Sequence, residues 1–288
     1  MSKLFTLMAM VIFCTAANAQ EDSTKKESNQ IDTIRVGNMI IIKDKSKAGN
    51  DKSDTRVYMG QKKIVSNVST NWAIFDFGIA NYDDQTNYSS TGGYLFNRPG
   101  TTPLGKGDFD LRDGKSININ IWFFMQRLNL IKHYVNLKYG LGLELNNYRY
   151  NSHISYLQSN PFVPGQEAYP VIFRDSILFS KNKLAADYIT IPFMINFSSN
   201  PAYENRGLSL SVGISTGYLY NSRNKQISDE RGKLKNEGDY DLKSFKFAYI
   251  AELGLGPVRL YGSYSPYSMY EGGLNMRPYA VGIRFSNW

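Results

Sequence analysis

The stretch RPYAVGIRFSNW at residues 277–288 constrains the fold more than any other. From Tyr279 every second side chain is large and apolar: Tyr279, Val281, Ile283 and Phe285. Between them stand Ala280, Gly282, Arg284 and Ser286. A period of two puts the first set on one face of a β-strand and the second set on the other. Tyr279, Phe285 and Trp288 are its aromatic markers, but Trp288 falls three residues after Phe285 and out of the period. Phe285 is therefore read as the closing aromatic. A strand so greasy on one side must set that face against a core or against lipid.

The same period recurs along the chain. A first strand over 71–82 sets Ala73, Phe75, Phe77 and Ile79 against Ile74, Asp76 and Gly78. A second over 116–126 is expected to turn Ile117, Ile119, Ile121, Phe123 and Met125 outward and Asn118, Asn120, Trp122 and Phe124 inward. The third is the cleanest: Val135, Leu137, Tyr139, Leu141, Leu143 and Leu145 face one way, and Asn136, Lys138, Gly140, Gly142, Glu144 and Asn146 the other. A fourth over 188–197 contains Pro192, which predicts a local bulge because proline cannot donate to the ladder. Further strands are predicted over 208–220, 245–255 and 258–265, the last two joined by the tight Gly256-Pro257 turn.

With 277–288 this makes eight strands, and the connections alternate long, short, long. The long ones, 83–114, 149–182, 222–242 and 266–276, are rich in Gly, Pro or charge, and 171–179 is expected to extend a hairpin within the second. An even strand count with alternating short and long connections is the plan of an outer-membrane barrel, with short turns and both chain ends on the periplasmic side. The charges inside the strands, Asp76, Lys138, Glu144, Lys246, Glu252, Arg259 and Arg284, all have the parity opposite to the apolar stripe. A basic residue facing lipid at mid-bilayer costs roughly 2–4 kcal/mol, so this segregation suits a membrane barrel. A water-soluble barrel would bury the apolar stripe instead, and strand pattern alone does not separate the two. The composition favours the membrane, with 21 Tyr and 24 Gly among 288 residues.

The N-terminus reads as a secretory signal over 1–19: Lys3, an apolar run from Leu4 to Ala16, then Ala17-Asn18-Ala19. Cys14, the only cysteine, lies inside it behind the large Phe13, so a lipoprotein signal is not expected. The mature chain then has no disulfide, thiol nucleophile or thiolate metal site. Residues 20–69 are polar and Lys-rich and read as a periplasmic linker, with one transient strand in IDTIRVGNMIIIK at 31–43. The formal charge of +8 comes from scattered basic residues with no stripe, which argues against nucleic acid.

With the signal, the strand NWAIFDFGIANY at 71–82, KSININIW at 115–122 running on to YGLGLELNNYRY at 139–150, DYITIPFMINF at 187–197 and SVGISTGYLYNSRNK at 211–225, the chain resembles the PorT-like outer-membrane β-barrel domain proteins of Bacteroidetes over residues 70–288. The resemblance implies an outer-membrane barrel. It brings no catalytic residues.

The expectation is an all-β fold: an eight-stranded antiparallel transmembrane up-and-down β-barrel with long outer loops, over 70–288, in the bacterial outer membrane. No catalytic residue, metal ligand or cofactor is assigned. An eight-stranded barrel is just wide enough for its own side chains, so its inward charges must pair. Asp76 and Arg284, on the first and last strands, are expected to do so. Glu252 and Arg259 flank a tight turn and are expected to pair likewise, with Lys138 and Glu144 joining the network. The role expected is non-enzymatic, structural or interactive. One alternative is a lipid-modifying hydrolase using His153 and Ser155, with Glu167 as the acid. Another is an accessory component of a protein secretion system acting through 20–69. Asp108, Asp110 and Asp113-Gly114 imitate a calcium loop, but Arg112 occupies its fifth position, so a turn is the reading. The partners expected are outer-membrane lipid and lipopolysaccharide, and the barrel-assembly machinery during insertion. Residues 20–69 are a candidate contact for a periplasmic protein.

Overall fold

The computed structural model describes residues 31–36, 39–44, 55–59, 66–165, 170–201 and 207–286. The signal expected at 1–19, Glu167 and Trp288 lie outside them. The chain divides into two units, Met1–Ile64 and Val65–Trp288.

In the first unit, β1 (Ile31–Val36), β2 (Met39–Asp44) and β3 (Thr55–Met59) form an antiparallel sheet in that order. Val36 stands opposite Met39, and Met39 opposite Met59. The linker with one transient strand is therefore corrected. The β-prone run holds two strands, and 55–59 supplies the third that pairs with them.

In the second unit, eight long strands close a ring: β4 (Val68–Asp84), β6 (Ile117–Ile131), β7 (Val135–Arg149), β10 (Lys181–Ser198), β11 (Leu208–Ser228), β13 (Phe245–Leu255), β14 (Val258–Tyr264) and β15 (Met276–Phe285). Each pairs antiparallel with the next, and β15 returns to β4 from Met276 opposite Asp84 to Phe285 opposite Phe75. Short connections all lie at one end. The tightest joins Leu255 to Val258, and Gly256 supplies its left-handed residue at φ 61°. At the other end the long connections carry β5 (Leu95–Phe96), β8 (Ile154–Leu157), β9 (Val171–Arg174) and β12 (Gly232–Glu237).

The barrel is apolar outside and polar inside. Phe75, Phe77, Ile79, Ile191, Phe193, Val212, Ile214, Leu260, Val281 and Ile283 are exposed, whereas Asp76, Lys138, Glu144, Glu252, Arg259 and Arg284 are buried. An exposed apolar belt of that extent belongs against lipid. This is the observation that the strand pattern lacked, and it excludes a water-soluble barrel.

Two local expectations are corrected. Between Trp122 and Phe124 the register of β6 against β7 shifts by one residue. This bulge reverses the parity that follows. Phe124 turns outward, its ring 5.9 Å from Trp72, and Met125 is 0% exposed. Ala73, opposite the bulge on β4, takes φ 54°. Second, Pro192 makes no bulge: it stays in register opposite Ser215, and only its pairing towards β7 lapses between Thr190 and Phe193. The shift on β10 comes instead at Asp187/Tyr188, against β11.

The strands also outrun the lipid-facing stripe. β10 begins at Lys181 and β11 continues to Ser228, where sequence reading places loops, and β12 folds back on β11 from Arg223 opposite Glu237 to Ser228 opposite Gly232. Beside them, β8 and β9 form the expected hairpin, with β5 parallel to β9.

The filled lumen and its cap

Inward positions of the strands bring the predicted charges together. Arg284 on β15 forks onto Asp76 on β4, Nε to Oδ1 at 2.7 Å and Nη2 to Oδ2 at 2.8 Å. The two residues are register partners at the junction that closes the ring. The third arm of Arg284, Nη1, donates to Glu252 Oε2 at 2.5 Å. Glu252 also accepts from Lys138 Nζ at 2.8 and 2.9 Å and from Arg259 Nη1 at 3.1 Å. One carboxylate thus gathers three cations from three strands. Glu144 pairs with Lys246.

Neutral side chains complete the set. Trp122 Nε1 donates to Asp76 Oδ2 at 2.8 Å and Asn120 Nδ2 to the same oxygen at 3.1 Å. The Arg284 guanidinium also lies 5.5 Å from the Trp122 ring centre. Asn118 Nδ2 donates to Asn120 Oδ1 (3.2 Å) and Asn146 Oδ1 (2.8 Å), and Asn146 Nδ2 donates to Glu144 Oε1 (3.0 Å). The amides therefore link the Asp76 and Glu144 clusters into one hydrogen-bonded network. Tyr261 Oη donates to Asn118 Oδ1 at 2.6 Å. Its ring crosses the paired glycines Gly78 and Gly282; a Cβ on Gly282 would lie 2.7 Å from Tyr261 Cε1. Sequence reading missed these amides and Tyr261 as members. Their signal was the inward parity of Asn118 and Asn120 in ININIW. A cavity beside the network, lined by Asn120, Trp122, Glu144, Glu252 and Arg284, has about 30 Å³, room for a water or so.

Above this layer the long-loop end is closed by an aromatic cluster. Tyr82, Phe109, Tyr148, Tyr150, Tyr156, Tyr188, Tyr240 and Tyr270 are buried together with Leu104, Met269 and Leu274. Tyr156 Oη donates to Tyr150 Oη at 2.7 Å and lies 3.2 Å from Tyr270 Oη. Tyr94 Oη donates to the Tyr240 carbonyl at 3.0 Å. Burial pushes the Tyr156 and Tyr270 phenols well above their ordinary value, so both remain protonated donors.

The residues weighed for chemistry are otherwise engaged. Ser155 Oγ donates to Asp175 Oδ2 at 2.8 Å and accepts from Gln226 Nε2 at 2.8 Å, while His153 Nδ1 accepts from the Phe179 amide at 2.9 Å. The hydroxyl and the imidazole thus serve different partners. Asp108 is bound by Arg174, Nη2 to Oδ2 at 2.7 Å, and among the described residues no cluster of three or more His, Cys, Asp or Glu is placed to hold a metal. Of the closing aromatics, Tyr279 is half-buried on β15 and Phe285 is exposed at its end.

A closed ring with a lipid-facing exterior and a filled polar lumen defines a membrane-spanning β-barrel. The chain belongs to the outer membrane protein beta-barrel domain family, which matches residues 63–266 and places it in the bacterial outer membrane. The match takes in seven of the eight strands; β15 lies beyond it. No curated protein matches the chain. Among solved structures, it is similar to a crystal structure of Ail, the attachment invasion locus protein of Yersinia pestis. The identity is 12%, the alignment covers 75% of this chain and 98% of that one, and the TM-score is 0.29. A second crystal structure of Ail, in complex with the heparin analogue sucrose octasulfate, matches at 11% identity and TM-score 0.27, with the same coverage. Scores this low carry no functional inference.

Proposed function

We propose that this is a non-enzymatic outer-membrane barrel with a structural or interaction role, which presents its capped loop end to the outside. The carrying observation is the occupied lumen: a salt-bridge network at mid-depth and an aromatic cluster above it fill the interior. Short turns on the periplasmic side, usual for such barrels, set the orientation. The engaged states of Ser155 and His153 speak against the hydrolase alternative. Membership of the narrower PorT-like group rests on the strand motifs quoted above. On this reading residues 20–69 sit in the periplasm, where the β1–β3 sheet would meet a protein partner.

Planar-bilayer recording of the purified barrel tests the reading. A flat baseline is expected, and reproducible unitary steps would contradict it. Lipid A from cells with and without the protein should have the same mass spectrum; a mass change that depends on the protein would restore the hydrolase.

A further inference from the structure

Beyond the lipid-facing stripe, the outward face of four adjacent strands carries a row of like charges. Arg149 on β7 stands opposite Lys183 on β10, Lys183 opposite Lys225 on β11, and Lys225 opposite Lys235 on β12. Directly opposed side chains in antiparallel strands share a face and lie about 5 Å apart, so like charges there repel. On the next rung outward Lys181 and Lys233 flank Ile227, and on the rung nearer the belt Arg223 stands between Ala185 and Glu237. Seven cations thus share one face.

Only two carboxylates stand among the paired residues of that face. Asp187 takes Arg223 at 2.5 Å and Glu237 takes Lys235 at 2.6 Å. Lys183 Nζ donates to the neutral Asn147 amide oxygen, and Arg149 donates to the Ser180 carbonyl while its Nε is buried with no hydrogen-bond partner. Burial, then the charges of Lys181, Arg223 and Lys225, hold the Lys183 amine down to about 8.

The position of the row indicates what relieves it. The same face of β10 runs on into Ile189, Ile191 and Phe193, and that of β7 into Leu145 and Leu143. Arg149 is four residues past Leu145. At about 3.3 Å per residue and a tilt of about 40°, that is about 10 Å above the belt, the depth of headgroups.

We propose that this face binds the phosphorylated headgroup of the glycolipid forming the outer leaflet, with its phosphates between the rungs and its acyl chains on the stripe below. A soluble polyanion would satisfy the charge but has no use for the adjoining apolar surface. The inference rests on the outward orientation of the loop end. It does not depend on whether the lumen conducts.

Native mass spectrometry of the full chain from detergent tests it, with lipid A, enzymatically dephosphorylated lipid A and inositol hexakisphosphate as probes. Lipid A should bind best. Replacing Lys183, Lys225 and Lys235 together by Gln should weaken it about a hundredfold, because three interfacial cations are lost. The triple Arg variant should bind as the parent does, which separates charge from damage to the fold. Equal binding of dephosphorylated lipid A, tighter binding of inositol hexakisphosphate, or an unaffected Gln variant would overturn the proposal. Maleimide labelling of Lys225→Cys on intact cells reads orientation separately. Labelling only after lysis would overturn the outward reading and this choice of lipid with it. Labelling on intact cells without lipid A preference would overturn the lipid site alone.

Discussion

Arg284 and Asp76, 208 residues apart in the chain, meet as register partners and share two hydrogen bonds of 2.7 and 2.8 Å inside the barrel. The backbone ladder alone would let β15 slide along β4 by two residues and keep its greasy face outward. The forked ion pair marks one register, because a slip would leave both charges buried and unpaired. The barrel's last strand, β15, is thereby tied to its first, β4, and through Glu252 to β13 and β7.

Glu252 is the hub of that tie, and its loss should cost more than the loss of any one spoke. Glu252→Gln leaves Lys138, Arg259 and Arg284 buried without their shared carboxylate, a change expected to cost about 3–5 kcal/mol. Lys138→Met leaves Glu252 with two arginines and should cost clearly less. Urea unfolding in detergent, followed by the heat-modifiable gel shift, compares the two. Equal midpoints would refute the hub.

The paired glycines predict a sharp local contrast. Gly282→Ala would push a methyl to 2.7 Å from the Tyr261 ring and 2.5 Å from Gly78 Cα, whereas at Gly262 the nearest atom is 3.8 Å away. Overpacking of that kind costs about 1–3 kcal/mol. Gly282→Ala should lower the unfolding midpoint and Gly262→Ala should leave it in place.

The bulge at Phe123 is open to a labelling test. The only cysteine of the sequence, Cys14, is changed to Ser for this test. Phe124→Cys should react with a lipid-soluble maleimide and Met125→Cys should be protected. The opposite order would restore unbroken alternation along β6.

How far the fold was legible follows from what alternation can encode. The eight strands were visible because each alternates greasy with small or polar residues, as Leu137, Tyr139 and Leu141 do with Lys138, Gly140 and Gly142. The bulge was not, because Trp122, Phe123, Phe124 and Met125 are all apolar and a parity change among them leaves no trace. The upper parts of β10 and β11 were also missed. Their two faces are both polar, as in Lys181-Asn182-Lys183, so a strand there resembles a loop. Parity identified the inward charges, and strand adjacency suggested Asp76 with Arg284. It could not show that Glu252 reaches Lys138 across the lumen or that Glu144 meets Lys246, since such contacts depend on barrel width and shear.

The most direct test of the closed, charge-locked lumen is a double-mutant cycle on Asp76→Asn and Arg284→Leu, read as unfolding free energy in detergent. The account predicts that each single change destabilises strongly and that the double change costs far less than their sum, with a coupling of about 2–3 kcal/mol. Additive effects, within about 0.5 kcal/mol, would mean that the pair does not hold the barrel shut.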